Sequence, residues 1–236
     1  MNEESYPLGE PLTAQLTAIA DDFCAQEGGC HGPDHTRRVH RTALFIGREM
    51  EARLDILSAA ALLHDIGRRY ETDRQGRLCH AAKGAALARI ILGDLDFPAP
   101  AIDAVAHCIA THRYRGGNPP LSLEAKILYD ADKLDSIGAI GIGRAFLFAG
   151  QVGARLHNGD ADHLLTRSYT TEDTAYREFK VKMSKVRDRL LTPIGRCLAN
   201  ERHAFMEIYF ERLEREIKGR CMSGEEWRGL EGKSDR

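Results

Sequence analysis

Apolar residues recur along the chain at intervals of three and four, the spacing of one helical face, and nowhere at strict intervals of two. Leu12, Leu16, Ile19 and Phe23 form one such stripe and predict a helix over 12–26, ended by Gly28 and Gly29. His35, Val39, Thr42, Ala43 and Ile46 form a second, with Asp34 before them as a residue suited to an N-cap. His31 falls in the preceding loop and His40 lies one step off the stripe, so both are expected to be exposed. A third helix is predicted over 54–68. Leu57, Ala60 and His64 share one of its faces, which directs His64 into the core. Tyr70 to Leu78 reads as a polar loop.

Further helices are predicted from His80 to Gly93 and from Ala101 to His112, punctuated by Pro98 and Pro100. Arg113 to Pro120 is a basic loop. Near Ser122 another helix begins, with Ala125, Leu128 and Asp132 inward and Asp130 and Asp135 projecting elsewhere. The glycines over 138–150 follow no strand and lack the spacing of a nucleotide-binding loop; a close helix crossing is the plainer reading. Residues 151–172 read as a polar loop. Two long helices follow, over 173–191 and 194–218, divided at Thr192–Pro193. Ile194, Leu198, Phe205, Tyr209 and Leu213 form the expected core stripe of the second, and the chain after Gly219 reads as a frayed tail. The fold class is therefore all-α, without internal repeats.

The length of 236 residues is ample for a sizeable core, and 43% apolar with 29% charged residues is an ordinary globular composition. A net charge of −2 argues against a broad nucleic-acid surface. Cys24, Cys30, Cys79, Cys108, Cys197 and Cys221 form no C-x-x-C pair and read as free thiols. Acidic residues after Met1 do not resemble a signal peptide, and the apolar runs fall short of the ~20 residues a membrane span needs. A cytoplasmic protein is expected.

The chemistry concentrates at Ala60-Ala61-Leu62-Leu63-His64-Asp65-Ile66-Gly67-Arg68. A lone histidine on an apolar face is ordinarily a core residue with a satisfied hydrogen bond. An adjacent carboxylate is costly to bury unless something pairs with it, and a divalent cation suits imidazole and carboxylate alike. Neighbouring residues point about 100° apart on a helix, so His64 and Asp65 need ligands from elsewhere. His35 and Asp132, both inward on other helices, supply them.

The ordered set His35, His64-Asp65, Asp132 resembles the HD-domain superfamily of metal-dependent phosphohydrolases. His64-Asp65-Ile66-Gly67-Arg68 is similar to its central motif and Asp130-Ala131-Asp132-Lys133-Leu134-Asp135 to its last. The resemblance covers roughly residues 20–150, and the C-terminal helices resemble the extension of small stand-alone bacterial members. It implies a helical HD core over 1–150, with a C-terminal helical extension over 151–236 packing on it. It also implies one divalent ion, Mn2+, Fe2+, Ni2+, Co2+ or Mg2+, bound by His35, His64, Asp65 and Asp132. Asp65, Arg68, His80 and His112 are the expected catalytic residues; Arg68, Lys83, His107, His112 and Lys133 are expected at the substrate. Arg68 reads equally as a surface ion pair, and Lys133 as a partner of Asp130. His80, His107 and His112 resemble the extra histidines of two-metal members. The double histidine and the glycine-tyrosine-proline element of cyclic-di-GMP phosphodiesterases are absent. A single ion is therefore expected, with these histidines as substrate contacts or proton donors. The expected substrate is a small phosphorylated compound, a nucleotide in particular, cleaved as a pyrophosphate or a monoester. A nucleotide-sensing module without turnover and a di-iron oxygenase are the rival functions. A homodimer is left open.

Overall fold

The computed structural model describes residues 8–24, 32–73, 79–114, 118–158 and 166–220, with no strand among them. The helix stops expected at Gly28 and Gly29, the loop placing of His31 and the tail after Gly219 fall largely or wholly outside these residues. No helix of the described residues is long and apolar enough to cross a membrane. The helices are α1 (Glu10–Cys24), α2 (Pro33–Glu49), α3 (Leu54–Leu63), α4 (Arg68–Asp73), α5 (His80–Asp94), α6 (Ala99–Thr111), α7 (Leu123–Leu134), α8 (Gly138–Gln151), α9 (Ala175–Val181) and α10 (Pro193–Ile217).

α3 is the axis of the bundle. All of its residues but Asp55 are buried, and it packs against α1, α2, α6 and α7. A helix apolar all round belongs inside a domain rather than on its surface. Its run Ser58-Ala59-Ala60-Ala61 is small enough for neighbouring helices to approach closely. Leu57, Leu63, Ile66, Ile46 and Ile127 are fully enclosed around it. α2 begins with Gly32 as N-cap and Pro33 in its first turn. Proline there is pre-set for helix and forfeits no hydrogen bond. Asp34 is thus not the cap but a first-turn carboxylate, placed where the helix dipole favours it.

The helix predicted over 54–68 is broken. α3 stops at Leu63, His64 to Gly67 form turns, and α4 begins at Arg68, where a loop was expected from Tyr70. Gly67 explains the break. A Cβ there would lie 2.2 Å from the His80 carbonyl oxygen and 2.6 Å from the Gly84 nitrogen. The missing side chain lets α5 lie directly on the turn that carries His64 and Asp65.

The C-terminal part differs from its expected form in two places. The long helix over 173–191 is instead the short α9 followed by 3-10 turns at Met183–Lys185 and Arg187–Arg189. Met183, Val186 and Leu190 are its buried anchors, and the tighter turns suit that spacing. α10 does begin at Pro193, capped by Thr192, whose hydroxyl accepts from Gly195 N. Its buried line runs through Ala199, His203, Met206 and Phe210. The predicted stripe is one residue off: Ile194, Leu198, Tyr209 and Leu213 sit at its rim, and Phe205 is 48% exposed. Phe210 stacks on Phe179 of α9 with ring centroids 4.4 Å apart. Asp130 points neither to solvent nor to Lys133. It is buried and ties α7 to α10, accepting from Leu191 N and Thr192 N at 2.8 Å and from the Thr192 hydroxyl at 2.6 Å.

Candidate metal centre

His35 lies in the first turn of α2, His64 caps the C-terminus of α3, Asp65 follows in the turn, and Asp132 stands near the end of α7. The bundle brings all four together. His35 Nε2 is 3.3 Å from His64 Nε2, 3.4 Å from Asp132 Oδ1 and 3.7 Å from Asp65 Oδ2; His64 Nε2 is 3.6 Å from Asp65 Oδ2. His64 Nδ1 donates to the Ala61 carbonyl at 2.8 Å, and His35 Nδ1 to Asp135 Oδ2 at 2.7 Å. With those protons committed, both neutral rings aim bare Nε2 lone pairs at each other. Such a contact is repulsive unless a cation lies between them. The donor set therefore fits a divalent ion, with each ring fixed by a partner behind it.

The protonation of the centre agrees. Burial pushes His64 down to about 4, the Asp65 charge opposing and those of His35 and His112 assisting. Burial also acts to lower His35, but Asp132, Asp135 and Asp65 outweigh it and raise this histidine to about 9. Without a metal, a proton on His35 takes the position of the cation. Asp65 and Asp132 are held well below the usual carboxylate range: burial would raise them, but His64, Arg68, His112 and His35 act on the first, and Lys133 and His35 on the second.

Asp135 is the residue sequence reasoning missed. It was expected to project away, yet it is buried behind His35 and lies one helical turn beyond Asp132. It also accepts from Arg38 Nε at 2.6 Å and from Arg144 Nη1 at 2.5 Å. Burial opposes its ionisation, but His35, Arg38 and Arg144 lower it to about 2. The signal was its +3 spacing from Asp132, which puts both on one face.

A second group of ligand atoms lies beside the first. His80 opens α5 and His112 caps α6, both fully buried. Their Nε2 atoms are 3.3 Å apart and lie 3.4 and 3.6 Å from Asp65 Oδ1. His112 Nδ1 donates to the Ile109 carbonyl at 2.7 Å, again freeing Nε2. Asp65 thus turns Oδ2 to one set and Oδ1 to the other. The single-ion expectation assumed no carboxylate near His80 and His112; the carboxylate is Asp65 itself.

A cavity of about 610 Å³ opens over the centre, lined by His80, His112, Asp132, Arg68, Lys133 and Tyr129 among others. Arg68 donates from Nε to Asp65 Oδ2 at 2.9 Å and from Nη2 to Oδ1 at 3.2 Å. Lys133 pairs with Asp132 at 2.7 Å, not with Asp130, and lies over the Tyr129 ring. Arg113, Tyr114 and Arg144 complete this wall and were not singled out in the sequence. Lys83 and His107 do not line it. Lys83 sits over the Tyr70 ring, and His107 Nε2 accepts from Leu121 N at 3.1 Å. His40 is half-buried and bonded to the Ser58 hydroxyl at 2.8 Å, rather than exposed.

Comparison with known proteins follows the same geometry. The HD domain family model matches residues 34–137, which contain all six candidate ligands. YpgQ of Bacillus subtilis is 34% identical over 209 residues, spanning 87% of this chain and 93% of its own. The crystal structure of YpgQ in complex with ADP superposes with a TM-score of 0.69 at 32% identity, covering 88% of this chain and 98% of that one. An HD-superfamily hydrolase from Bacillus thuringiensis superposes with a TM-score of 0.70 at 25% identity, covering 89% and 98%.

Proposed function

The chain belongs to the HD-domain family of metal-dependent phosphohydrolases, and on that basis we propose that it hydrolyses a small phosphorylated substrate, a nucleotide in particular. The observation that carries the reading is the convergence of buried imidazole and carboxylate ligands on the floor of a cation-lined cavity. The nucleotide half rests on a relative, since YpgQ crystallised with ADP. His35, His64 and Asp132, with Asp65 beside them, would hold a divalent ion. Such an ion polarises a phosphoryl oxygen and lowers the pKa of water. Asp65 orients the attacking water by accepting a hydrogen bond from it; Arg68, spanning both Asp65 oxygens, faces the phosphate charge from the cavity wall. Lys133 neutralises a second phosphate oxygen. In its imidazolium form, with Nδ1–H still on the Ile109 carbonyl, His112 would donate its Nε2 proton to the departing oxygen.

A second reading is favoured by one observation: Asp65 turns Oδ2 to His35 and His64 and Oδ1 to His80 and His112, and its Oδ1 lies within one compact cluster with those two histidines. In that reading His80 and His112 are ligands of a second ion with Asp65 as the bridge. Elemental analysis of purified protein separates the two: about one ion per chain supports the first, about two the second. Asp65→Ala is expected to lose metal and turnover in either case; full metal occupancy in that variant rejects the centre. His80→Ala or His112→Ala keeps the ion count under the first reading and lowers it by one under the second. Turnover is read by screening nucleotides and sugar phosphates with Mn2+, Fe2+, Ni2+, Co2+ and Mg2+, measuring orthophosphate and pyrophosphate separately. Bound nucleotide without turnover would favour a sensing module, and two irons per chain would reopen an oxygenase.

A further inference from the structure

The cations that line the cavity over the centre fall into two groups. On the side of α4, α7 and α8, the cations already face carboxylates: Arg68 binds Asp65, Lys133 binds Asp132 and Arg144 binds Asp135. The chain after α9 lines the same cavity and contributes Lys182, Lys185 and Arg189. Lys182 pairs with Glu178 at 2.5 Å. Lys185 and Arg189 have no carboxylate partner among the described residues and are exposed. They stand on the successive 3-10 turns Met183–Lys185 and Arg187–Arg189, whose backbone is anchored by buried Met183, Val186 and Leu190.

Two uncompensated cations on a rigid wall of a cleft raise the local concentration of anions and reward a ligand that brings charge to them. Neither belongs to the candidate ligand sets or to the residues matched by the family model, which ends at 137. A phosphoryl group at the centre meets Arg68 and Lys133. A single phosphate there leaves Lys185 and Arg189 unmatched. A chain of linked phosphates extends the same charge across the cavity, and a volume of about 610 Å³ admits it. We infer that Lys185 and Arg189 form a binding site for the distal phosphates of a substrate with two or more linked phosphates, so that the C-terminal segment sets the preference for such chains over monoesters. The inference rests on the hydrolase reading for the position of the reacting phosphate, but not for the binding itself.

Tripolyphosphate and orthophosphate are the probes, titrated calorimetrically into the full, metal-loaded chain. Tripolyphosphate should bind the more tightly. In the Lys185→Ala/Arg189→Ala protein its affinity should fall about 10- to 100-fold, the range of one or two charge-assisted hydrogen bonds, while orthophosphate changes by less than about threefold. Lys185→Arg should retain the wild-type affinity, because the charge is kept. Thermal melts report whether the double variant is folded, which the exposure of both side chains favours. An unchanged tripolyphosphate affinity overturns the inference, as does an equal loss for both anions. If the chain turns over no phosphate compound yet shows this difference, the distal site stands and the hydrolase reading falls. If turnover is found and the variant binds as wild type, the distal site alone is wrong.

Discussion

As a candidate ligand, His35 would have two states: a cation when the metal is absent and a neutral donor when it is present. Its pKa of about 9 in the metal-free protein means that it is protonated at neutral pH. A divalent ion can bind only by displacing that proton, so affinity rises with pH up to about 9 and levels off above it. His64, held near 4, is already neutral and releases nothing. Calorimetry at pH 6.5 in two buffers of different ionisation heat should show about one proton released per ion bound. No release would show that His35 is not displaced. Asp135→Asn removes the charge behind His35; it should reduce the release and weaken the ion roughly 10- to 100-fold. At this scale the sequence was informative about the candidate ligands, which converge as their facing implied, and silent about what stands behind them. His35, His64, Asp65 and Asp132 were legible because helical spacing says which way each faces. Asp135 was not, because its place depends on Arg38 and Arg144 arriving from two other helices.

At the scale of elements, the contact of α5 with the ligand turn decides whether His80 reaches Asp65. Gly67 permits it by having no side chain where the His80 carbonyl passes. Gly67→Ala forces backbone apart, since neither the His80 oxygen nor the Gly84 nitrogen can rotate away. The expected cost is about 1–3 kcal/mol, read as a lowered melting temperature. Gly84→Ala is the comparison. A Cβ there meets nothing closer than the Ile109 methyl at 3.3 Å, so its effect should be smaller. Equal melting temperatures for the two would mean that α5 and the turn are not in this contact. Periodicity predicted α2, α5, α6 and α7 near their observed limits, because each has an inward stripe. It failed at Gly67 and over 173–191, where tertiary contact rather than local pattern ends the helix. On α10 the apolar residues Ile194, Leu198 and Tyr209 are displaced to the rim by a line of small and flexible residues, Ala199 and Met206, that admits closer packing.

The whole molecule depends on a tie between the part that carries the candidate metal ligands and the part that carries Lys185 and Arg189. Asp130 supplies it, two residues before Asp132 on α7. Its carboxylate is enclosed and takes three hydrogen bonds from Leu191 and Thr192, at the end of the 3-10 turns and the start of α10. Gly195 leaves it room: a Cβ there would lie 2.2 Å from Asp130 Oδ2. Asp130→Ala would strand the Leu191 and Thr192 amides, of which the Thr192 donors are buried, and free the chain between α9 and α10. The hydrogen bonds of the Asp130 carboxylate go to Leu191 and Thr192 and not to the candidate ligands, so metal binding at the proposed centre should persist. The expected result is a loss of roughly 2–4 kcal/mol, from stranded donors at about 1–3 kcal/mol each. Proteolysis should become faster around 183–191 first, with metal content unchanged. Tripolyphosphate affinity should fall with it, because Lys185 and Arg189 lose their anchored backbone. A variant that loses its metal in step with its stability would mean that the two parts unfold as one, and one whose 183–191 segment stays protected would mean that Met183, Val186 and Leu190 hold it without Asp130.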